Sequence, residues 1–159
     1  MDSKYKLESG YKYYKYLLIL PLIVIFLDQL TKILVIYYMQ LNQSIPIIPN
    51  IFHLTYITNT GTLFGSFKDN NMLFIWLSLI IIGALLYLYD KFDKTEQILF
   101  SLVIGAAIGN LIDRITYGHV IDFLDFRIWP VFNIADSVIS VCTIVLLIYL
   151  LKRDFFSKR

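Results

Sequence analysis

The chain has 159 residues, 58% of them hydrophobic and only 16% charged, with a mean hydropathy of +0.67. That is too apolar to fold around one water-soluble core, so it reads as an integral membrane protein. A net charge of +2 gives no basis for a nucleic acid or other polyanion as partner, and a single cysteine, Cys142, excludes an internal disulfide and a cysteine-built zinc cluster.

Residues 1–15 are polar and basic, and residues 16–38 form the first span, about the twenty apolar residues that a bilayer requires. A cleavable signal peptide is the competing reading, but Asp28 and Lys32 interrupt the run and no small-x-small cleavage site follows. Residues 40–71 are a long polar connection punctuated by Pro46 and Pro49. Within it, Phe52 to Thr58 alternates as a surface strand or hairpin would, and Asn59 to Gly65 reads as a turn. Residues 72–89 make the second span, Asp90 to Glu96 a charged loop, and 97–115 the third span. A loop over 116–133 leads to the fourth span, 134–151, and a basic tail. No repeat or second domain is visible, so the chain is expected to be one membrane domain. Trp76 and Trp129 read as interface anchors or as packing.

Lysine and arginine set the expected orientation. Ten of the 14 lie in the two termini and the 90–96 loop, and only Lys68 and Arg127 lie in the two opposite loops. Both termini are therefore expected in the cytoplasm, with 40–71 and 116–133 outside.

The polar residues that interrupt the apolar sequence are the functional candidates, because a polar group at membrane depth is costly unless paired. Asn110, Asp113 and Arg114 share one helical face at the end of the third span. The plainer reading is an Asp–Arg pair that fastens helices together. Gly105 and Gly109, a small-xxx-small pair, read as packing. Asn133 can cap the fourth span, with Asp136 in its first turn facing the positive helix end. Capping explains Asn133 but not the recurrence of an acid opposite Asp122. That residue sits among apolar neighbours, where desolvation favours a protonated carboxyl. Two such acids brought close would share one proton and could activate water against a peptide bond. Asp125 competes with Asp122 for this role, since on an extended segment the two face opposite ways. Asp28 and Lys32, four apart, read first as an intrahelical ion pair. His53 and His119 are too few and too far apart to argue for a metal, and no cofactor is expected.

Five blocks together resemble the lipoprotein signal peptidases (signal peptidase II), the bacterial membrane aspartyl proteases. They are Asp28-Gln-Leu-Thr-Lys32, Asn59-Thr-Gly61-Thr-Leu-Phe-Gly65, Gly105 to Arg114, Val120-Ile-Asp-Phe123 and Phe132-Asn-Ile-Ala-Asp-Ser137, in the family's order. Ala106 departs from the family's usual second glycine, a small-for-small change. The resemblance implies a membrane all-α fold, a four-transmembrane-helix bundle with a small extracytoplasmic β-cradle, in the bacterial plasma membrane. It implies Asp122 and Asp136 as the catalytic pair, with Asn110, Asp113, Arg114 and Asn133 lining or bracing the site. It places Asn59 and Gly61 in the cradle, while Asp28 and Lys32 support the neighbouring strand and loop. The implied substrate is a prolipoprotein cut just before its diacylglyceryl cysteine, among membrane lipids. Globomycin-like cyclic peptides are the implied inhibitors, and nothing demands a second chain, so a monomer is expected. Two other readings remain: a proton-linked transporter using the same acids, which lacks an internal repeat, and a structural subunit, which would tolerate their replacement.

Overall fold

A helix that must cross lipid satisfies its own backbone, and four stretches of the chain are long and apolar enough to do so: Lys15–Tyr38, Asn71–Lys91, Lys94–Tyr117 and Ile134–Arg153. They belong to α1 (Ser3–Tyr38), α2 (Asn71–Leu88, followed by one 3-10 turn), α3 (Lys94–Tyr117) and α4 (Ile134–Ser157). The computed structural model describes residues 3–61 and 70–157, without the side chains of 3–14, 154, 156 and 157. The Thr62 to Gly65 part of the expected turn, Lys68, and Lys158 and Arg159 of the tail therefore lie outside the described residues.

The helix ends follow local chemistry rather than the edges of the apolar runs. α3 begins ahead of its apolar run because Asp93 caps it. The Asp93 carboxylate accepts from the Thr95 and Glu96 N–H groups at 2.9 and 3.0 Å, and the Asp93 N–H donates to Glu96 Oε2 at 2.9 Å. The same two acids receive Arg153 from α4, at 3.3 and 2.8 Å, which ties the start of α3 to the end of α4. α3 stops at Gly118, whose φ of 79° is the left-handed conformation that glycine adopts without strain.

α3 is the hub, packed most extensively on α1 and α4 and less on α2. Gly105 permits the closest of these approaches: a Cβ there would sit 2.6 Å from Pro21 Cα and 2.8 Å from the Pro21 carbonyl oxygen. Ala106, fully buried, packs beside Val24 and Ala135, so the methyl group is accommodated. α2 buries only Phe74 of its described side chains, and large apolar residues such as Trp76 and Ile80 face outward, as lipid contact requires.

The hairpin read over residues 40–71 forms as β1 (Ser44–Ile48) and β2 (Phe52–Asn59). A third strand, β3 (Val120–Asp125), joins β2 to make an antiparallel sheet in the order β1-β2-β3. That segment was expected as loop. It lacks the alternation of a half-exposed strand because nearly all of it is buried; Ile121 and Phe123 pack with Val35 and Met39 at the end of α1.

Gly105→Ala should lower stability in detergent by about 1–3 kcal/mol, because the opposing atoms are backbone and cannot rotate away. Gly83→Ala, with open space around its Cβ position, should be near neutral. Melting curves of the two purified variants check this.

Candidate active site

The site is built on a buried ammonium. Lys32, 1% exposed, comes from α1, and its Nζ contacts Asp28 Oδ2 at 2.8 Å, Asp113 Oδ2 at 2.7 Å and Asn110 Oδ1 at 2.9 Å. The intrahelical Asp28–Lys32 pair therefore exists, but as one arm of a larger cluster. Asp113 turns to Lys32 rather than to its neighbour Arg114, so the expected Asp–Arg fastening does not form. Arg114 instead lies over the Phe74 ring, 5.3 Å from its centroid, with a long 3.4 Å bond to the Asn110 carbonyl. Each carboxylate of the cluster also orders backbone. Asp28 Oδ1 accepts from the Ala135 N–H at 3.0 Å, and Asp113 Oδ2 from the Ile121 N–H at 3.1 Å. The first fixes the start of α4 and the second fixes β3.

Two aspartates are tied to this support through shared amides. Asp122 is fully buried on β3, opposite Ile57 of β2. Its Oδ2 accepts from Asn59 Nδ2 at 2.9 Å and its Oδ1 from Asn133 Nδ2 at 2.7 Å. Asp136 stands in the first turn of α4, where its Oδ1 accepts from Asn110 Nδ2 at 2.8 Å. Asn133 is the bridge: its Oδ1 accepts the Asp136 N–H at 2.9 Å while its Nδ2 serves Asp122 and, at 3.1 Å, Asn110 Oδ1. Asn59 also turns the chain, accepting the Gly61 N–H at 3.1 Å. The ten candidates Asp28, Lys32, Asn59, Gly61, Asn110, Asp113, Arg114, Asp122, Asn133 and Asp136 thus form one hydrogen-bonded network.

Electrostatics separates Asp122 from Asp125. Burial, and then the charge of Asp136, push the Asp122 carboxyl up to about 7, against the opposing pull of Asn59, Asn133 and Lys32. Asp125 emerges on the other side of β3. Burial alone would raise it, but the Thr55 hydroxyl at 2.7 Å and the Arg127 backbone and guanidinium, each at 2.9 Å, hold it below the usual carboxylate range. It therefore stays ionised at neutral pH and is not placed to share a proton with Asp136.

A cavity of about 960 Å³ opens beside the pair. Asn59, Asn110, Arg114 and Asp136 form its polar wall, and Phe52, Phe126, Trp129 and Phe132 are among its apolar walls. Phe126 and Phe132 stack with centroids 5.9 Å apart. Trp129, expected as a membrane anchor, thus also borders the cavity. Gln29 was missed by the sequence reading. Its Nε2 donates to Asp113 Oδ1 at 2.8 Å and the Gly109 carbonyl at 3.1 Å, and lies 3.3 Å from Asp28 Oδ2. Its place between Asp28 and Lys32, next to the first acid, was the available signal.

A family model described as signal peptidase (SPase) II matches residues 20–152. The chain is 47% identical over 138 residues to the lipoprotein signal peptidase of Halothermothrix orenii, covering 86% of this chain and 95% of that one. It is 46% identical over 127 residues to the lipoprotein signal peptidase of Pelotomaculum thermopropionicum, covering 78% and 84%. A solved bacterial membrane enzyme, determined by the in meso method at 2.3 Å resolution, superposes with a TM-score of 0.83 at 33% identity, over 90% of this chain and 91% of that one. A second, determined likewise at 1.9 Å, gives 0.78 at 33% identity over 86% and 92%.

Proposed function

The chain belongs to the signal peptidase II family, and on that premise we propose that it is a membrane aspartic endopeptidase that removes the signal peptide from prolipoproteins, with Asp122 and Asp136 as its catalytic pair. The observation that carries the pair is Asn133, which holds both acids at once and leaves Asp122 protonating near neutral pH beside Asp136. Like charges at close range oppose double ionisation, so the pair retains one proton.

Hydrolysis follows from that single proton. The ionised carboxylate takes a proton from water as its oxygen adds to the scissile carbonyl. The protonated carboxyl hydrogen-bonds the developing oxyanion and then gives its proton to the departing amine as the C–N bond breaks. The products are a signal peptide with a new carboxylate and a lipoprotein with a free amino terminus. No nucleophilic side chain is consumed, and neither metal nor cofactor is called for.

The substrate is cut just before a diacylglyceryl cysteine. The aromatic and aliphatic cavity beside Asp136 suits a peptide that carries such a lipid, and Asn59 and Gly61 at the end of β2 border it. Globomycin-like cyclic peptides fit the same description as inhibitors. The enzyme works as a monomer among membrane lipids, termini in the cytoplasm and acids at the outer face. That sidedness rests on the crowding of lysine and arginine into the termini and the 90–96 loop. A proton-linked transporter finds no support among relatives that are peptidases.

Asp122→Asn and Asp136→Asn should each lower cleavage of a diacylglyceryl prolipoprotein by at least about a thousandfold while the protein still inserts and melts cooperatively; ordinary turnover in both refutes the pair. A globomycin-like peptide should stop the wild-type reaction in the same assay. Because Asp122 holds its proton below about 7 and loses it above, cleavage should fall on the alkaline side with an apparent pKa near 7, by about tenfold per pH unit beyond it. A flat rate from pH 7 to 9 would contradict this. A reporter fused after Arg159 should be active only in the cytoplasm.

A further inference from the structure

The mechanism above uses the two aspartates and leaves Lys32 with no chemical part, although it is the most deeply buried cation described. Its contacts account for the whole ammonium. An ammonium has three N–H donors, and Lys32 contacts three acceptors, Asp28, Asp113 and Asn110. No donor remains for either Asp122 or Asp136. Two of the contacts are charge pairing; the third goes to a neutral amide that itself touches an acid.

That third contact gives the site a direction. Because Lys32 can only donate, the Asn110 atom that faces it must be oxygen, so Nδ2 is turned to Asp136 Oδ1. The same oxygen accepts from Asn133 Nδ2, and Asn133 Nδ2 also serves Asp122. The side-chain amides that reach the two carboxylates, Asn59, Asn110 and Asn133, all arrive as N–H, the arrangement that favours an ionised carboxylate. A hydrogen bond from a cation is about twice as strong as a neutral one and polarises the next in the chain. Without Lys32, the Asn110 oxygen keeps only the 3.1 Å bond from the neutral Asn133 amide.

We propose that Lys32 is a positioning residue which, acting through the Asn110 carboxamide, keeps the Asp122–Asp136 pair at one bound proton instead of two. The proposal rests on the pair being catalytic. The charges around it are distributed as it requires. Asp28 from α1 and Asp113 from α3 are the acids that Lys32 pairs, Asp122 from β3 and Asp136 from α4 are the pair itself, and Arg114 from α3 feels Asp113, Asp122 and Asp136. Arg114 lies over Phe74 and, among the described residues, hydrogen-bonds the Asn110 backbone carbonyl rather than its carboxamide, so it does not orient the amide. Removing Lys32 takes the charged donor from the Asn110 oxygen and weakens the Nδ2–H bond to Asp136, so a second proton enters the pair; the direct pull of the Lys32 charge on Asp122 is the smaller, amide-independent part.

The test is the pH–rate profile of prolipoprotein cleavage for wild type, Lys32→Gln, Lys32→Met, Asn110→Ala and Lys32→Met/Asn110→Ala. The acid limb of each single variant should move to higher pH by about one unit, a tenfold change in the singly protonated fraction, so that activity lost on the acid side partly returns as the pH rises toward 7. In the Asn110→Ala background, removing Lys32 should move the limb by well under the shift it causes in wild type. Asn110→Ala keeps both ion pairs of Lys32 and removes the amide itself, so an unmoved limb in this variant overturns the relay even if Lys32→Met does not fold. Profiles that are scaled down but unmoved reduce Lys32 to a brace and overturn the proposal, and so do shifts that add in the double variant. Asp122→Asn and Asp136→Asn, run alongside, separate the two ideas. Their inactivity with an unmoved limb sinks only the role of Lys32, whereas their activity sinks the catalytic pair and this proposal with it.

Discussion

A cation buried away from water has to be surrounded by acceptors, and most of this site follows from how the chain meets that demand. The Lys32 ammonium draws Asp28 from its own helix and Asp113 and Asn110 from α3. Removing one partner of such a cluster leaves a buried charge uncompensated, at about 3–5 kcal/mol, so the three groups hold each other in place. The acids then reach outward, Asp28 to the first turn of α4 and Asp113 to the first half of β3. The two elements that carry Asp122 and Asp136 are thus fastened to one charged knot.

The knot needs close helices. Gly105 lets α3 approach Pro21 of α1, and Gly109 leaves room for the Asp28 carboxylate, which would lie 2.6 Å from a Cβ at that position. Small residues at the helix interface are what a bilayer favours, since lipid gives helices no hydrophobic reason to associate. Here they also let side chains of opposite charge meet without a gap for water.

The sheet supplies what the helices cannot. β3 presents Asp122 inward and Asp125 to the other side, and β2 brings Asn59 to Asp122 and Thr55 to Asp125. Two aspartates three positions apart thereby acquire opposite properties. Asp122, desolvated and beside Asp136, titrates near neutrality, whereas Asp125, on Thr55 and Arg127, stays an anion. An acid that changes protonation near the working pH can act both as acid and, in its other form, as base.

The helices were legible because membrane spans are written in composition: about twenty apolar residues admit few other readings. The polar interruptions at Asp28, Lys32, Asn110, Asp113 and Asp136 were legible for the same reason, since their cost in lipid marks them. β3 was not, because a strand buried on both faces loses its alternation and reads as a greasy loop. Gln29 was passed over because its one local signal, a place beside Asp28, is already accounted for by the acid itself. The partner of Asp113 was misjudged as well, for its neighbour Arg114 is near in sequence while Lys32 comes near only when α1 meets α3. Sequence by itself determined which residues are too polar to face lipid, because that depends on each residue and its immediate run. Tertiary structure alone decided who pairs with whom, because hydrogen bonds and charge pairs depend on distances that only folding sets.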